Sequence, residues 1–244
     1  MNNIAKKNIN DEISKEDSVF LKKIRKKVAK TMIEYSMLEE NDKVLIAFSG
    51  GKDSIVVSDI IINLKKKVNF KFELIAFMIG NENSPNIKFV KQQLESVNIK
   101  TIAFTAENIE KRKNTNHCHI CSRIRRGTIY NYAVENNCNK IILGHHLDDV
   151  IETFFMNQFY QAKLETMKAI FNSDDGRNTI IRPLHAILEK DIIRYFNIMK
   201  FEKLKMYCPF GTTKSKRSET KELLSKLSDM EKYNIYHSIK HLYI

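Results

Sequence analysis

The sequence is short of several features that define other classes of protein. No apolar run among its 244 residues is long enough to span a bilayer, and the first residues lack the apolar core of a signal peptide. It has neither an internal repeat nor a low-complexity linker. We therefore expect a cytoplasmic protein without a membrane partner. In that compartment, the four cysteines favour metal or redox chemistry over disulfides.

Acidic residues are also scarce relative to basic ones. The chain carries 41 Lys and Arg against 29 Asp and Glu, which gives a net charge of +12 and a pI of about 9.4. Such an excess favours a polyanionic partner such as nucleic acid. A Lys-rich, AT-biased proteome would produce the same excess without a partner, so charge alone leaves both explanations open.

The length suits one large α/β domain, which we place over residues 18–244. Residues 1–17 are polar and mixed in charge, which predicts a flexible N-terminus. Over residues 18–35, apolar residues recur at helical spacing while basic residues fill the other faces. This predicts an amphipathic helix with a basic outer side, which is either a solvated face or a contact for an RNA backbone.

A buried strand leading into a small polar loop is the pattern around which the fold prediction is built. Residues 44–48 are apolar and suit a strand of a parallel sheet, and residues 55–64 suit an apolar helix. The loop between them consists of Ser49, Gly50, Gly51, Lys52, Asp53 and Ser54. Its glycines let the backbone approach an anion, its lysine adds a positive charge, and its serines add hydroxyl donors.

A Gly-Gly turn on its own is often only a tight corner. The spacing here also differs from Gly-x-x-x-x-Gly-Lys-Ser/Thr, the mononucleotide P-loop. Between this strand and this helix, the loop resembles the Ser-Gly-Gly-x-Asp-Ser pyrophosphate loop of ATP pyrophosphatases, which adenylate a substrate and release pyrophosphate. The resemblance implies that the loop binds ATP.

The rest of the chain alternates predicted strands and helices. Strands are predicted over residues 71–79, 101–105, 140–143, 179–182 and 203–207. Helices are predicted over residues 87–97, 122–136, 150–160 and 189–199, with one or two more from residue 218. Residues 107–116 and 161–177 are predicted to be connections without strands. The alternation predicts a doubly wound parallel sheet with helices on both faces.

A second polar segment, Gly144-His-His-Leu-Asp-Asp149, follows the predicted strand at residues 140–143. It falls at the carboxyl end of its strand, as the phosphate loop does, and open α/β sheets bind ligands at that edge. Asp53, Asp148 or Asp149 could hold the Mg²⁺ that phosphate oxygens require. An Asp pair at this place is also a common helix cap, and Asp149 could serve in both roles. The predicted catalytic residues are Lys52, Asp53 and Asp149, and Gly144 is assigned to the nucleotide site.

Three cysteines form a candidate metal site. Cys118 and Cys121 are three residues apart and reach one metal readily, and Cys208 could join them from another loop. Three thiolates would leave one iron of a four-iron cluster without a protein ligand, where an exogenous sulfide could sit. Zinc with His117 or His119 as the fourth ligand is the structural alternative, and a dithiol redox pair is another.

Basic residues flank both cysteine segments. The predicted RNA-binding residues are Arg123, Arg125, Arg126, Lys214, Lys216 and Arg217. Contacts from such residues to phosphates would supply affinity without a choice of base. Each of them, taken singly, is equally consistent with simple solvation of the surface.

Together, these segments resemble the tRNA 2-thiocytidine synthetase (TtcA) family of PP-loop ATP pyrophosphatases, from about residue 19 to the C-terminal helix. Besides the phosphate loop, the matching segments are Cys118-His-Ile-Cys-Ser-Arg-Ile-Arg-Arg-Gly127, Gly144-His-His-Leu-Asp-Asp149, Ser173-Asp-Asp-Gly176, Ile181-Arg-Pro-Leu184 and Glu189-Lys-Asp-Ile-Ile193. The loop and the His-His-x-Asp-Asp segment also occur in tRNA lysidine synthetases, whereas the Cys-x-x-Cys-x-Arg-x-Arg-Arg-Gly segment does not.

The resemblance implies an adenine nucleotide α-hydrolase-like fold and a tRNA-cytidine 2-sulfurtransferase. Such an enzyme adenylates the C2 oxygen of the cytidine at anticodon-loop position 32 and replaces it with sulfur, releasing AMP and pyrophosphate. The implied cofactors are ATP, Mg²⁺ and a 4Fe-4S cluster held by Cys118, Cys121 and Cys208. The implied partners are tRNA and a sulfur donor, either a cysteine desulfurase or free sulfide, and a homodimer is compatible with the sequence.

Two positions depart from the family pattern. Tyr207-Cys-Pro-Phe-Gly211 has one cysteine where the family usually shows Pro-Cys-x-x-Cys-Gly, and Gly80-Asn81 stands where the family commonly has an Asp-Gln pair. Two rival functions are therefore kept. One is a paralogous sulfurtransferase acting on another nucleoside or a small acceptor, and the other is a zinc-stabilised, nucleotide-dependent RNA-binding module without turnover.

Overall fold

The computed structural model of the chain describes residues 13–79, 83, 85–96, 99–104, 117–173, 175–202 and 216–243. Within these ranges, the side chains of residues 79, 86, 93, 104 and 117–122 are not described. The predictions that lie outside the described residues are most of the flexible N-terminus, the loop at 107–116, the strand at 203–207 and both departures from the family pattern. Cys208 and Lys214 lie outside them as well.

The described residues contain a six-stranded sheet. Its strands are β1 (Lys43–Phe48), β2 (Glu73–Ile79), β3 (Lys100–Phe104), β4 (Lys140–Ile142), β5 (Ile170–Asn172) and β6 (Thr179–Ile181). Their order is β3-β2-β1-β4-β6-β5, and every neighbouring pair is parallel except β5 and β6. The predicted doubly wound parallel sheet is confirmed, with one antiparallel strand added at the edge.

Helices cover both faces of this sheet. They are α1 (Lys15–Glu34), α2 (Lys52–Lys65), α3 (Pro85–Glu95), α4 (His117–Glu135), α5 (Leu147–Gln161), α6 (Glu189–Ile198), α7 (Lys216–Leu224) and α8 (Asp229–Ser238), and a 3₁₀ turn follows at Lys240–Leu242. Every helix predicted in the described part of the chain is present. None of those described is both long enough and apolar enough to cross a bilayer.

Two predictions between residues 117 and 177 are wrong in detail. The helix predicted from residue 122 begins at His117, so the Cys-x-x-Cys segment lies in the first turns of α4 rather than in a loop. Its start was hidden because residues 117–122 carry no apolar period. The connection predicted over residues 161–177 contains β5, a three-residue strand that is too short to show an alternating pattern.

Alternation along the strands divides the apolar core between the two faces. Val44 and Ile46 of β1 pack into the larger cluster with α2, α5 and α6. Leu45 and Ile141 point the other way, into a smaller cluster beneath α4 that includes Cys138. Burial raises the pKa of the Cys138 thiol, so this cysteine packs as a small apolar side chain.

The predicted basic helix is α1, and part of its basic side is used internally. Arg25 donates to the buried Asp59 of α2 at 3.2 Å and to the Tyr195 hydroxyl of α6 at 2.7 Å. Lys27 donates to the Tyr233 hydroxyl of α8 at 2.6 Å. The lysines of α1 that face solvent are Lys15, Lys22, Lys23, Lys26 and Lys30. The helix α1 therefore bonds to α6 and α8 through its inner basic residues and presents a basic outer face to solvent.

Candidate functional site

The turn between β1 and α2 has the geometry of an anion-binding loop. Gly50 has a φ of +75°, a conformation that L side chains rarely adopt. Gly51 is the N-cap of α2, and among the described residues no side chain hydrogen-bonds there as a cap. The first N–H groups of α2 are therefore available to a phosphate, which the positive end of the helix dipole also favours.

The two serine hydroxyls of the loop bond to one another. Ser54 Oγ donates to the Gly51 carbonyl at 2.8 Å, and Ser49 Oγ lies 3.2 Å from Ser54 Oγ. Ser54 is buried, whereas Ser49 is exposed. Ser54 therefore shapes the turn, and Ser49 is the serine that a ligand can reach.

Gly144, at the end of β4, lies directly against the phosphate loop. A Cβ atom on Gly144 would lie 3.1 Å from the Asp53 carbonyl carbon and 3.2 Å from both the Asp53 oxygen and the Ser54 nitrogen. Since those are backbone atoms, a side chain at this position would require the loop to shift by a few tenths of an ångström. The two segments predicted to share one sheet edge are thus packed together there, because β1 and β4 are parallel neighbours.

Lys52 is held in an ion-paired position beside the loop. Its Nζ lies 3.0 Å from Asp53 Oδ1 and 2.8 Å from Glu189 Oε1 at the start of α6. Burial favours the neutral amine, but the hydrogen bond to Glu189 and the charge of Asp53 raise the pKa of Lys52. Burial would likewise raise the pKa of Glu189, but hydrogen bonds from Lys52 and Lys221 lower it to about 2. Lys52 is therefore held as an ammonium group.

Asp53 offers an oxygen suited to a hard cation. Its Oδ1 is buried and, although 3.0 Å from Lys52 Nζ, forms no hydrogen bond of acceptable geometry with the described residues. Within the described ranges, no group of three or more His, Cys, Asp or Glu side chains could hold a metal ion by itself. Mg²⁺ at Asp53 would therefore take its other ligands from phosphate oxygens and water, as Mg²⁺ commonly does.

Both aspartates of the second segment cap helices, as the alternative reading proposed. At the start of α5, the His146 N–H donates to Asp149 Oδ2 at 3.0 Å and the Asp149 N–H donates to His146 Nδ1 at 3.4 Å. Asp148 Oδ2 accepts the Glu189 N–H at the start of α6 at 2.6 Å. The sequence segment thus fixes the start of two helices at the nucleotide edge.

Arg217 joins α7 to the same edge. Its Nη2 lies 2.5 Å from Asp149 Oδ1, and its Nε lies 3.2 Å from Glu152 Oε2. Burial tends to raise the pKa of Asp149, but electrostatic interactions with His146 and other neighbours, including Arg217, lower it. Asp149, a predicted catalytic residue, is therefore a carboxylate already engaged by a cap and an arginine.

His145 and Arg182 also lie at this edge and are not among the predicted site residues. Arg182 Nε donates to His145 Nδ1 at 3.1 Å, so the neutral imidazole carries its proton on Nε2. Burial and the Arg182 charge lower the pKa of His145 to about 4. The guanidinium of Arg182 also lies 4.7 Å from the centre of the Phe171 ring. The sequence signals for this pair were the Gly144-His-His-Leu-Asp-Asp149 and Ile181-Arg-Pro-Leu184 segments, from which neither residue was assigned a role.

The predicted basic residues flank the edge from two helices. Arg123, Arg125 and Arg126 are exposed on α4, and Lys216 and Arg217 are exposed on α7. Burial and the charge of Arg126 lower the pKa of Arg182 to about 10. The Lys216 ammonium lies 4.6 Å from the centre of the Tyr160 ring.

The structure describes the backbone of two predicted cluster ligands. Positions 118 and 121 are one turn apart on one face of α4, a spacing that suits two ligands of one metal centre. Cys208 lies outside the described residues. The assignment of all three as ligands stays a prediction.

Residues 20–205 match the family model of the PP-loop domain. The chain belongs to the PP-loop family. That match covers the phosphate loop, the His-His-x-Asp-Asp segment and the sheet that aligns them. The extent of one domain over residues 18–244 stays a prediction.

Two relatives of this chain carry the name tRNA-cytidine(32) 2-sulfurtransferase. The protein from Marinobacter nauticus is 43% identical over 188 residues, which cover 74% of this chain and 62% of the relative. The protein from Shewanella amazonensis is 35% identical over 230 residues, which cover 89% of this chain and 72% of the relative. The chain thus spans less than the full length of both relatives. The resemblance to the TtcA family is confirmed.

A solved structure gives a related comparison. The U34-tRNA thiolase NcsA from Methanococcus maripaludis, determined with its 4Fe-4S cluster, superposes with a TM-score of 0.75 and 26% identity. The alignment covers 92% of this chain and 78% of the thiolase. The predicted adenine nucleotide α-hydrolase-like architecture is therefore confirmed.

Proposed function

We propose that this PP-loop protein is an ATP-dependent tRNA sulfurtransferase that thiolates the cytidine at position 32. The observation that carries the proposal is the phosphate loop packed against Gly144, with the Lys52 ammonium beside it. The names of its relatives supply the class of substrate. The thiolase with a similar structure supplies the precedent for a cluster in this fold.

The phosphate loop would hold ATP at the start of α2. The free N–H groups of the first turn would bind phosphate oxygens, and Lys52 would neutralise part of their charge. Asp53 would supply a protein oxygen to Mg²⁺. In the proposed reaction, the C2 oxygen of the cytidine attacks the α-phosphorus and pyrophosphate leaves. Sulfide then attacks C2, and AMP leaves with the oxygen.

The cysteines of α4 would hold an iron–sulfur cluster together with Cys208. When bound, a 4Fe-4S cluster on Cys118, Cys121 and Cys208 supplies an iron without a protein ligand, to which sulfide can be delivered. The positions of Cys118 and Cys121 on one helix face support this assignment over scattered, unrelated thiols.

The tRNA backbone would contact the basic residues on both sides of the edge. The proposed contacts are Arg123, Arg125, Arg126, Lys214, Lys216 and Arg217. Exposure of the five that are described supports this role. A sulfur donor, either a cysteine desulfurase or free sulfide, a homodimer and a cytoplasmic location also remain predictions.

A second candidate is thiolation of a different nucleoside. The observation that favours it is the structural similarity to a thiolase named for U34, since one fold can serve more than one position of the anticodon loop. The zinc-stabilised RNA-binding module is the rival without turnover.

Anaerobic purification followed by nucleoside analysis tests the proposal. After reconstitution with iron and sulfide, the protein is incubated with ATP and bulk tRNA that lacks 2-thiocytidine, and the digested nucleosides are identified by mass spectrometry. We expect a brown protein that forms 2-thiocytidine only with ATP. Lys52→Ala should abolish the product and keep the visible absorbance, whereas Lys190→Met, at an exposed lysine paired with Asp229, should keep both.

The other outcomes separate the rivals. Sulfur in another nucleoside would support the second candidate. A colourless protein that contains zinc, binds tRNA and forms no product would support the RNA-binding module. Loss of colour in a folded Lys52→Ala variant would contradict the separation of the nucleotide and cluster ligands.

A further inference from the structure

Glu189 lies between two lysines that come from different helices. Its Oε1 is 2.8 Å from Lys52 Nζ of the phosphate loop, and its Oε2 is 2.9 Å from Lys221 Nζ of α7. The Lys52 and Glu189 side chains are 16% and 21% exposed, whereas Lys221 is 53% exposed. A continuous row of charges therefore runs from the phosphate loop through α6 to a solvent-facing residue of α7.

The backbone of Glu189 is fixed independently of both lysines. Its N–H donates to Asp148 Oδ2 at 2.6 Å, and Asp148 Oδ1 accepts from Lys232 Nζ of α8 at 2.7 Å. Since these contacts do not involve the Glu189 carboxylate, loss of either lysine should leave the start of α6 in place. The carboxylate can then redistribute its two hydrogen bonds without a change of fold.

Without a ligand, the Lys52 ammonium is shared between the carboxylates of Asp53 and Glu189. A phosphate bound by the loop would compete with both carboxylates for the same ammonium, because all three anionic groups attract one positive charge. Lys221 withdraws one oxygen of Glu189 from that competition. The strength with which Glu189 holds Lys52 therefore depends on α7.

We propose that Glu189 is a positioning residue for Lys52, and that Lys221 sets how firmly Glu189 holds it. This inference rests on the proposed function because it takes the competing ligand to be the phosphate chain of ATP. It adds a role for two residues, one in α6 and one in α7, that do not belong to the phosphate loop.

The two residues should affect ATP affinity in opposite directions. Glu189→Gln removes the competing carboxylate, so the ATP analogue should bind about threefold more tightly. Turnover should nevertheless fall about tenfold, because the amide does not hold the ammonium in place. Lys221→Met leaves both oxygens of Glu189 to Lys52, so the analogue should bind about threefold more weakly.

Long-range attraction or repulsion between these side chains and the phosphates predicts the same two changes in ATP affinity. The reason is that this interaction depends only on the sign of the charge that is removed. A double-mutant cycle separates the two explanations. If Lys221 acts through Glu189, then Lys221→Met has no effect on affinity in the Glu189→Gln background. If it acts through space, its effect is the same in both backgrounds. Lys190→Met is the matched control, because Lys190 is the next residue in α6 and pairs with Asp229 instead.

The experiment is calorimetric titration of the full chain and its variants with the Mg²⁺ complex of α,β-methylene-ATP, with circular dichroism as the check on folding. Loss of the Lys221→Met effect in the Glu189→Gln background supports the proposal. Glu189→Asp keeps the negative charge, so it should recover part of the turnover that Glu189→Gln loses. Additive effects with normal binding by the wild type would overturn this role for Lys221 and leave the proposed function standing. No binding by the wild type would overturn both.

Discussion

The phosphate loop and the charged contacts of α7 meet at one edge of the sheet but are built differently. The loop comes from six consecutive residues, and backbone conformation determines its shape, as the φ of +75° at Gly50 shows. The contacts of α7 come from side chains far apart in sequence: Arg217 reaches Asp149 across 68 positions, and Lys221 reaches Glu189 across 32. A site of the first kind is sensitive to backbone crowding, and one of the second kind to charge and pH.

The largest effect should come from crowding the loop. In Gly144→Ala, the new Cβ would lie 3.1–3.2 Å from backbone atoms of Asp53 and Ser54, so the loop must shift. A displacement of the phosphate donors by a few tenths of an ångström should lower the affinity for the ATP analogue by about 30-fold, measured by calorimetry, which is less than the loss expected from a misplacement of about 1 Å. Gly127→Ala is the control, because a Cβ there meets nothing within 4 Å. Equal affinity in the two variants would mean that the loop is not held by Gly144.

A smaller effect, on the free energy of unfolding, should come from a change of pH at His185, which also makes contacts between distant parts of the sequence. His185 is fully buried, with Nδ1 2.8 Å from the Tyr236 hydroxyl of α8 and Nε2 2.9 Å from the Met167 carbonyl. Burial lowers the pKa of His185 to about 4 from an ordinary value of 6.5. Between these values the unfolded chain binds a proton that the folded chain does not, so stability is complete above about pH 6.5 and is lost as pH falls toward 4.

The free energy of unfolding in urea, measured from pH 7.5 to pH 4.5, checks this expectation. The wild type should lose about 2 kcal/mol relative to His185→Gln over this range, because the glutamine does not titrate. A constant difference between the two proteins would show that folding does not change the pKa of His185, which would contradict the lowered value.

The smallest effect should come from Arg217, the exposed residue of α7 that pairs with Asp149 and Glu152. Arg217 is 49% exposed, and solvent screens its ion pairs with Asp149 and Glu152. Arg217→Met should therefore lower the free energy of unfolding by about 1 kcal/mol. It should also weaken tRNA binding, measured by filter retention. Arg123→Met is the control, since it should weaken tRNA binding alone. Unchanged stability in Arg217→Met would reduce its role to RNA contact.

The strand, loop and helix around the phosphate site could be predicted because each depends mainly on its own stretch of sequence. The strand at residues 44–48, the loop and the helix after it could be identified because each element has its own pattern: a buried run, two glycines and an apolar segment. The placement of Gly144 opposite the loop followed from the rule that parallel strands present their carboxyl ends at one edge.

The pairing of side chains could not be predicted in this way. Glu189 begins a predicted helix and Lys221 lies in a predicted tail, and no local pattern joins them to Lys52. The hydrogen bond between Arg182 and His145 likewise depends on which strand lies beside β4. That strand is β6, and the order of the strands in the sheet is known only from the structure. The start of α4 was misplaced for a local reason, since Ile120 is the one large apolar residue among residues 117–122.

The most direct test of the central claim, that the nucleotide edge and the cysteines serve one reaction, is to map labelled sulfur in tRNA. The reconstituted protein is incubated with isotopically labelled sulfide, ATP and tRNA, and nuclease fragments are sequenced by mass spectrometry. Label should appear at cytidine 32 with the wild type and disappear with Lys52→Ala and with Cys208→Ala, although Cys208→Ala still binds ATP. Normal labelling by Cys208→Ala, or label at a different nucleoside, would contradict the account.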